Sequence, residues 1–391
     1  MSRPHLSQAR KRLFDAILAT LTLLAIEGIS CVMDLSMASR FGLMYREQDD
    51  LAGYREYLRY RDPVLGWPSS RQTEDRDATG SRIDPAYPDP ATSPTRVSLY
   101  GDSYTFGVDV DNEHAWSNVL SKLIRGRVAN YAVPGYGTDQ AYLRFAGNER
   151  DAAPVVILGI FSENVMRNVN QYRNLFYPAR FGFKPRFVLD EAGALSLVPL
   201  PSIPPEEYLA FVRDPDRRLP DEQFRLDGPW GMARFRFPYT LSLVRALGHF
   251  RVRAWVTGKP HWAAFYEDDH PSSALAITER IAVAFCDLAK ARRKRPMVVM
   301  IPHPMDVAVF RKTGAWTYEN LAARLAADGV DCVNLGTAIE GSLHGRKPQA
   351  IARGQHYDEE GYRTIGNAVF EALKARGILD PPGSVGTESG K

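Results

Sequence analysis

A serine and a histidine in this sequence have the residue types and surroundings that acyl-transfer chemistry needs. Ser103 stands in the segment Gly-Asp-Ser-Tyr-Thr-Phe-Gly (101–107), which directly follows the apolar-rich run 96–100. His356 stands near the end of the chain, in Arg-Gly-Gln-His-Tyr-Asp-Glu-Glu-Gly-Tyr (353–362). A neutral serine hydroxyl is a weak nucleophile that needs a neighbouring base, and an imidazole is the side chain most often used for that proton transfer. The two residues therefore predict a serine nucleophile with a histidine base.

Acyl transfer also needs hydrogen-bond donors for the carbonyl oxygen that becomes negative, and two later segments supply candidates. Gly135 lies in a glycine-rich turn after the apolar run 128–133, where its backbone N–H could face the nucleophile. Asn164 follows the apolar run 154–161, and its side-chain amide is a donor. Gly135 and Asn164 are therefore the candidate residues of an oxyanion hole.

Ser103, Gly135 and Asn164 all follow apolar runs that alternate with helical patterns, and this alternation predicts the fold. The run 154–161 is apolar enough to be a strand buried on both faces, which is typical of a parallel sheet. The predicted strands are 96–100, 128–133, 154–161, 297–301 and 330–335, and the predicted helices are 113–124, 139–150, 272–290, 318–327 and 359–376. Such alternation indicates an α/β fold, a doubly wound, flavodoxin-like parallel sheet in three layers with right-handed crossovers. Sheets of this kind bind ligands at the carboxyl ends of their strands.

Four separate blocks resemble the SGNH (GDSL-type) hydrolases, over roughly residues 96–377 apart from one long insertion. In that superfamily, a serine in a Gly-Asp-Ser turn, a glycine in the second block, an asparagine in the third and a histidine in the last form the site. The matching positions here are Ser103, Gly135, Asn164 and His356. The resemblance implies that Ser103 attacks an ester carbonyl, that His356 transfers the proton, and that the Ser103 N–H joins Gly135 and Asn164 in holding the oxyanion. It also implies that no metal ion or organic cofactor is required.

The last block departs from the family pattern at one position. The family usually has an aspartate three residues before the histidine, and this sequence has Arg353 there. An acid orients the imidazole and stabilises its protonated form, and its loss can cost up to about four orders of magnitude in rate. We expect a backbone carbonyl to orient His356 in a working Ser–His dyad. The alternatives are a carboxylate from elsewhere, such as Asp306 or Asp358, and a protein with little or no turnover.

The alternation of strands and helices breaks at 165–271, a long insertion. Within it, 186–198 predicts a β-hairpin with its turn at 190–193, and 239–250 predicts an amphipathic helix. Because the insertion begins just after Asn164, it could roof the site and shape the choice of substrate. The alternative is an element that only packs at the periphery.

The N-terminal residues predict a membrane anchor. Basic residues precede a mostly apolar stretch at 13–33, which is long enough to span a bilayer although it contains Asp15 and Glu27. The basic residues favour a cytoplasmic start, which would place the rest of the chain on the extracytoplasmic (periplasmic) side. A helix lying on the membrane surface and a cleaved signal sequence are the alternatives. The predicted organisation is an anchor at 1–40, an extended proline-rich arm at 41–95, a hydrolase-like domain at 96–378 and a disordered tail at 379–391.

Composition argues against several classes of protein. With 49 basic and 46 acidic residues, the net charge of +3 gives no electrostatic footprint for binding nucleic acid. Cys31, Cys286 and Cys332 are too few and too scattered for a disulfide framework or a zinc site, and the last two are predicted to be buried thiols. The histidines show no metal-ligand spacing. No pattern in the sequence predicts an oligomeric state.

Three functions remain as hypotheses. The first, and the expected one, is a membrane-anchored ester hydrolase acting on an acyl ester at the cell envelope, such as an acylated glycan or lipid. The second is an O-acyltransferase of envelope polysaccharide that uses Ser103 and His356 in the same way. The third is a weakly active or non-catalytic scaffold or binding protein, for which Arg353 is the reason.

Overall fold

The computed structural model describes residues 7–67, 75–177 and 181–379. The described residues form a parallel sheet with helices on both faces, one long N-terminal helix and several smaller elements. The helices are α1 (Gln8–Phe41), α2 (Leu51–Tyr60), α3 (Ser103–Phe106), α4 (Trp116–Ile124), α5 (Thr138–Gly147), α6 (Asn164–Arg167), α7 (Tyr208–Arg213), α8 (Tyr239–Gly248), α9 (Phe250–Thr257), α10 (Ala274–Ala291), α11 (Pro304–Thr313), α12 (Glu319–Ala327), α13 (Gly336–Ser342) and α14 (Glu359–Ala375). The strands are β1 (Thr95–Tyr100), β2 (Arg127–Asn130), β3 (Val155–Phe161), β4 (Arg186–Leu189), β5 (Leu195–Val198), β6 (Arg295–Ile301), β7 (Cys332–Asn334), β8 (Ala352–Arg353) and β9 (His356–Tyr357).

Five strands form the central sheet in the order β2-β1-β3-β6-β7, and all neighbouring strands are parallel. All residues of β2 and β3 are buried, because helices cover both faces of the sheet. The chain adds β2 on one side of β1, then crosses to the other side for β3, β6 and β7. This change of direction opens a crevice beyond the carboxyl ends of β1 and β3. The predicted doubly wound, flavodoxin-like sheet is confirmed.

Side chains on the two faces of the sheet enter separate cores, because successive residues of a strand point to opposite faces. On one face, Ile157 of β3 belongs to a core with Trp116 of α4 and Val369 of α14. On the other face, Leu158 belongs to a core with side chains of α5, α10 and α12, including Phe285. These two cores hold the sheet rigid beneath the loops that follow β1, β2 and β3.

Part of the segment predicted as an extended arm is folded against the domain. Its residues include α2, whose fully buried Tyr54 stacks on Tyr208 of α7 with the ring centroids 3.9 Å apart. Further along, the buried Arg82 donates hydrogen bonds to the carbonyl oxygens of Phe106 and Gly107 at 2.8 and 2.6 Å. The expectation of an extended conformation does not hold for α2, because its aromatic residues pack on an insertion that lies far away in the sequence.

The insertion carries the predicted hairpin and a pair of helices. Strands β4 and β5 pair antiparallel, which confirms the hairpin. The helix predicted at 239–250 is α8, and a second helix, α9, follows directly after His249. Helix α1, 34 residues long, packs along α8 and is apolar and long enough to cross a membrane. The predicted disordered tail lies, from residue 380 onward, outside the described residues.

Candidate active site

The Gly-Asp-Ser turn places Ser103 at the start of a one-turn helix beyond the end of β1. Ser103 is the first residue of α3 and is largely buried. Asp102 caps α3 by accepting a hydrogen bond from the Tyr104 N–H at 3.0 Å. Gly101 has to be a glycine, since a Cβ atom there would lie 2.1 Å from Oγ1 of Thr105. Packing around the turn therefore holds Ser103 at the crevice.

His356 approaches the same place on a short hairpin. Strands β8 and β9 pair antiparallel, with Arg353 opposite His356. Tyr104 joins this hairpin to α3, because its hydroxyl donates a hydrogen bond to the Gln355 carbonyl oxygen and its ring centroid lies 5.1 Å from that of the His356 imidazole. The structure thus brings Ser103 and His356 onto adjoining elements.

The carboxylate that faces His356 is Asp109, six residues after Ser103. Its Oδ2 lies 2.8 Å from Nδ1 of His356. This contact favours a proton on Nδ1 and leaves the Nε2 lone pair free to accept a proton from a hydroxyl. Asp109 has a backbone φ of 70°, in the left-handed region where aspartate is among the better tolerated non-glycine residues. Within the described residues His356 makes no hydrogen bond with Ser103, and such bonds often form only when substrate binds.

The carboxylates weighed from the sequence, Asp306 and Asp358, are engaged elsewhere. Asp306 is fully buried, where its Oδ1 accepts a hydrogen bond from Trp262 Nε1 at 3.0 Å. Asp358 caps α14 by accepting a hydrogen bond from the Gly361 N–H at 3.0 Å. The group that faces His356 is a side-chain carboxylate rather than the backbone carbonyl expected in the dyad.

Arg353, which stands where the family has its aspartate, binds the backbone of the residue that carries the carboxylate here. Its guanidinium donates a hydrogen bond to the Asp109 carbonyl oxygen at 3.2 Å and lies 2.9 Å from the Glu359 carboxylate. No spacing rule could have found Asp109, since 247 positions separate it from His356. The available signal was its place in the loop that follows the serine turn.

Asn164 and Gly135 lie on the loops after β3 and β2. Asn164 begins α6 and is fully buried, and neither Nδ2 nor Oδ1 of its side chain has a hydrogen-bond partner in the described part of the chain. An unpaired buried polar group costs about 1–3 kcal/mol, so an acceptor for this amide is expected from a bound molecule. Gly135 has a φ of 90°, which would strain any other residue, and its carbonyl oxygen accepts a hydrogen bond from Arg173 at 3.0 Å.

Arg167 links three of the four sequence blocks and was not predicted from the sequence. Its Nη1 lies 3.1 Å from Oδ2 of Asp102 and donates to the Tyr136 carbonyl oxygen at 3.1 Å. Its Nε lies 3.7 Å from Oε1 of Glu163. Burial raises the pKa of Asp102, and the charge of Arg167 acts against that rise. The only signal in the sequence was an arginine three residues after Asn164, which by itself indicates nothing about its partners.

A cavity of about 920 Å³ lies between the insertion, the end of α1 and the β8–β9 hairpin. Its wall includes Glu163, His261 and His303, so the insertion lines a space beside the predicted site. Burial acts to raise the pKa of Glu163, but Arg167, His261, Arg173 and His303 outweigh it and lower that pKa to about 2. Glu163 therefore remains ionised beside Asn164 over the working range of pH.

Replacing Glu163 with glutamine is expected to destabilise the protein at neutral pH, by an amount that shrinks in acid. The pKa of Glu163 falls from an ordinary 4.5 to about 2 on folding, so its contribution to stability is complete above pH 4.5 and is lost as the pH falls towards 2. Below pH 4.5 the free energy of unfolding of the wild type should therefore decline faster than that of the variant, by up to about 1.4 kcal/mol per pH unit. Urea unfolding at a series of pH values measures both curves. The exposed Glu206→Gln is the control, and parallel curves for wild type and Glu163→Gln would contradict the prediction.

The described residues contain neither a cluster of metal ligands nor a disulfide. Across 7–67, 75–177 and 181–379, no three His, Cys, Asp or Glu side chains converge as a metal site requires. Cys31, Cys286 and Cys332 are free thiols, and burial raises the pKa of Cys286 to about 12.

Comparisons with known proteins find similarity only among solved structures. No protein-family model and no curated protein matches the sequence. A member of the lipolytic protein G-D-S-L family from Veillonella parvula DSM 2008 is 14% identical, with a TM-score of 0.34 over 72% of this chain and 98% of that one. The psychrotrophic esterase EstA from Pseudoalteromonas sp. is 9% identical, with a TM-score of 0.33 over 72% and 98%. LAE5, an alpha/beta hydrolase enzyme from the metagenome of Lake Arreo, is 12% identical, with a TM-score of 0.38 over 74% and 98%. GDSL lipolytic proteins and esterases are thus among the structures that this chain resembles.

Proposed function

We propose that this protein is a serine ester hydrolase of the SGNH type. Three features support the proposal: Ser103 at the start of α3, the Asp109–His356 contact of 2.8 Å, and the buried amide of Asn164, which has no partner among the described residues. A nucleophile, an oriented base and an oxyanion donor are the parts that hydrolysis of an ester requires.

In the proposed reaction, Oγ of Ser103 bonds to the ester carbonyl carbon while its proton passes to Nε2 of His356. Asp109 holds the Nδ1–H of His356 and stabilises the imidazolium that results. The carbonyl oxygen becomes an oxyanion, to which the Ser103 N–H, the Gly135 N–H and Nδ2 of Asn164 donate. Collapse of this intermediate breaks the bond to the alcohol, which leaves with the proton from His356. Water then repeats the sequence on the acylated Ser103 and releases the acid.

The proposal includes anchoring of the protein by α1, with the site on the extracytoplasmic side. The C-terminal half of α1 contacts the insertion, where the Glu27 carboxylate accepts hydrogen bonds from the Tyr239 N–H at 2.5 Å and from the Thr240 hydroxyl at 2.6 Å. Cleavage of α1 as a signal sequence would remove this cap from the start of α8. These contacts support a retained anchor, and the basic residues that precede the apolar stretch 13–33 favour a cytoplasmic N-terminus.

Covalent labelling tests the proposal. The full chain in detergent, treated with a fluorophosphonate, is expected to acquire one label on the Ser103 peptide and to lose nitrophenyl acetate hydrolysis in parallel. Ser103→Ala should abolish the label, and His356→Ala should slow labelling by orders of magnitude because the hydroxyl loses its base. Ser196→Ala removes an exposed serine on β5, away from the cavity, and should change neither reaction.

The same preparation tells hydrolysis from acyl transfer. Transfer of the acyl group from the ester to water supports the hydrolase, whereas its appearance on an added sugar hydroxyl would identify an acyltransferase. A folded wild-type protein that takes up no label would overturn the proposal of a serine nucleophile.

A further inference from the structure

The helical pair of the insertion exposes an apolar face that no part of the described protein covers. We define the α8–α9 face by the exposed side chains that form it: Phe237, Leu241, Val244, Leu247, Trp255 and Val256. Three of them, Leu241, Val244 and Leu247, recur every three residues along α8 and so form one stripe. Val244 is 60% exposed and Val256 71% exposed. Contiguous apolar surface of this kind marks contact with a membrane or another molecule.

The α8–α9 face is continuous with the apolar surface of α1. The two helices run side by side in the same direction, since Ser30 Oγ lies 3.2 Å from Thr240 Oγ1 near the start of α8, and Leu43 packs with Ala246 near its end. Beyond that point the ring of Phe41 lies 5.6 Å, centroid to centroid, from that of Trp255 on α9. A bilayer that surrounds α1 therefore meets α8 as well.

The depth of α8 follows from the geometry of α1. If residues 13–33 span the hydrocarbon, Glu27 lies six residues before the end of the span, about 9 Å inside it at 1.5 Å per residue. The first turn of α8 lies at this level, because Glu27 caps it. Glu27 and the free N–H groups of α8 satisfy one another there, which polar groups in hydrocarbon require. These hydrogen bonds explain how the Glu27 carboxylate can be accommodated in a membrane helix.

With residues 13–33 spanning the hydrocarbon, the mouth of the cavity would lie at the level of the lipid headgroups. Arg40 and Phe41 of α1 line it, seven and eight residues beyond the proposed span and so about 10 Å outside the hydrocarbon. Trp255 and Lys259 of the insertion line the same side, and the Arg40 guanidinium lies 5.3 Å from the Trp255 ring centroid. Tryptophan favours this layer, and arginine and lysine attract the anionic headgroups within it. The opposite wall, at Gln355, adjoins His356.

We propose that the α8–α9 face is embedded in the outer leaflet and that the cleft takes its ester from an amphiphile of that leaflet with an anionic headgroup. The proposal rests on the ester-hydrolase function and the α1 anchor proposed above. The embedded face fixes the height of the cavity mouth, so that an ester bond near the headgroups reaches Ser103 without leaving the bilayer. A soluble ester enters the same cavity from water and needs no contact with the face.

The first experiment measures depth, independently of activity. The full chain, with its three cysteines replaced by alanine, carries a single NBD label at Val244→Cys in phosphatidylcholine–phosphatidylglycerol vesicles. We expect a blue-shifted emission that is quenched by doxyl lipids and not by aqueous iodide. The matched label at Leu197→Cys, an exposed apolar position on β5, should show the reverse. Quenching of the Val244→Cys label by iodide, or by neither quencher, would overturn the proposal, since the face would then lie in water or against a protein.

The second experiment compares two substrates. In the same vesicles, the double variant Leu241→Lys/Val244→Lys should hydrolyse an ester-linked fluorogenic phosphatidylglycerol at least tenfold more slowly than wild type, with nitrophenyl acetate hydrolysis unchanged. Leu197→Lys should change neither rate. Equal losses on both substrates, or on neither, would overturn the proposal. If wild type hydrolyses neither ester, the proposed function fails, and the depth measurement still decides whether the face is embedded.

Discussion

Replacing Asp109 with asparagine is expected to lower kcat/KM for a soluble ester by up to about ten-thousandfold, the loss that follows removal of the orienting acid from a serine hydrolase built around one. The carboxylate lies 2.8 Å from Nδ1 of His356 and keeps the proton on that nitrogen. An amide of the same shape can donate to Nδ1 and so favours the tautomer with its proton on Nε2, which cannot accept a proton from Ser103. Steady-state kinetics with nitrophenyl acetate measure the effect, and circular dichroism checks the fold.

The loop offers a matched control in Asp111, which forms a similar contact of 2.7 Å with the exposed His114. Asp111→Asn should keep kcat/KM within about twofold of wild type, because an exposed pair contributes little. The double variant Asp109→Asn/Arg353→Asp restores a carboxylate at the family position opposite His356, and partial recovery of activity would support the role of Asp109 as a positioning residue. Near wild-type activity in Asp109→Asn would instead favour the dyad expected from the sequence.

Replacing Asn164 with alanine is expected to lower kcat by about a hundredfold to a thousandfold without lowering the stability of the protein. The two effects separate because the Asn164 amide is fully buried and has no partner among the described residues. Its removal breaks no native hydrogen bond and relieves the cost of an unpaired polar group. The melting temperature should therefore be equal to that of the wild type or higher, while turnover falls.

Asn168, one turn further along the chain, provides the contrast. Its Nδ2 donates to Thr278 Oγ1 at 2.8 Å and its Oδ1 accepts from the Asp139 N–H at 3.2 Å, both in the buried core. Asn168→Ala should lower the melting temperature because it leaves these groups unpaired. If Asn164→Ala behaves in the same way, losing stability and activity together, the asparagine is structural and the oxyanion assignment is wrong.

The sequence predicted those features, strands and strand-end residues, that are determined by residues close together in the chain. The five sheet strands could be recognised because they are short, largely apolar runs that alternate with helical patterns, and the parallel sheet places their carboxyl ends together. Ser103, Gly135 and Asn164 were found for the same reason, since each follows its strand within a few residues. Their roles in catalysis stay predictions.

What the sequence could not predict depends on contacts between distant segments. Asp109 itself has a left-handed backbone conformation, with which the loop after α3 brings its carboxylate to His356 on the β8–β9 hairpin. Arg167 contacts Asp102 in another sequence block because β1 and β3 lie side by side in the sheet. Glu27 looked unfavourable in an apolar helix because its partners, at the start of α8, lie more than two hundred residues away.

The position of Asp109 determines which structural element carries each of the proposed catalytic side chains. In the proposed mechanism, the nucleophile Ser103 and the acid Asp109 belong to one stretch of seven residues, 103–109, and the base His356 lies on the β8–β9 hairpin. In the family pattern the acid is only three residues from the histidine, so a shift of that segment moves both together. Here a small displacement of residues 352–357 would separate the base from its acid and its nucleophile in a single movement. In the proposed mechanism, both proton transfers of His356 therefore depend on the position of this hairpin.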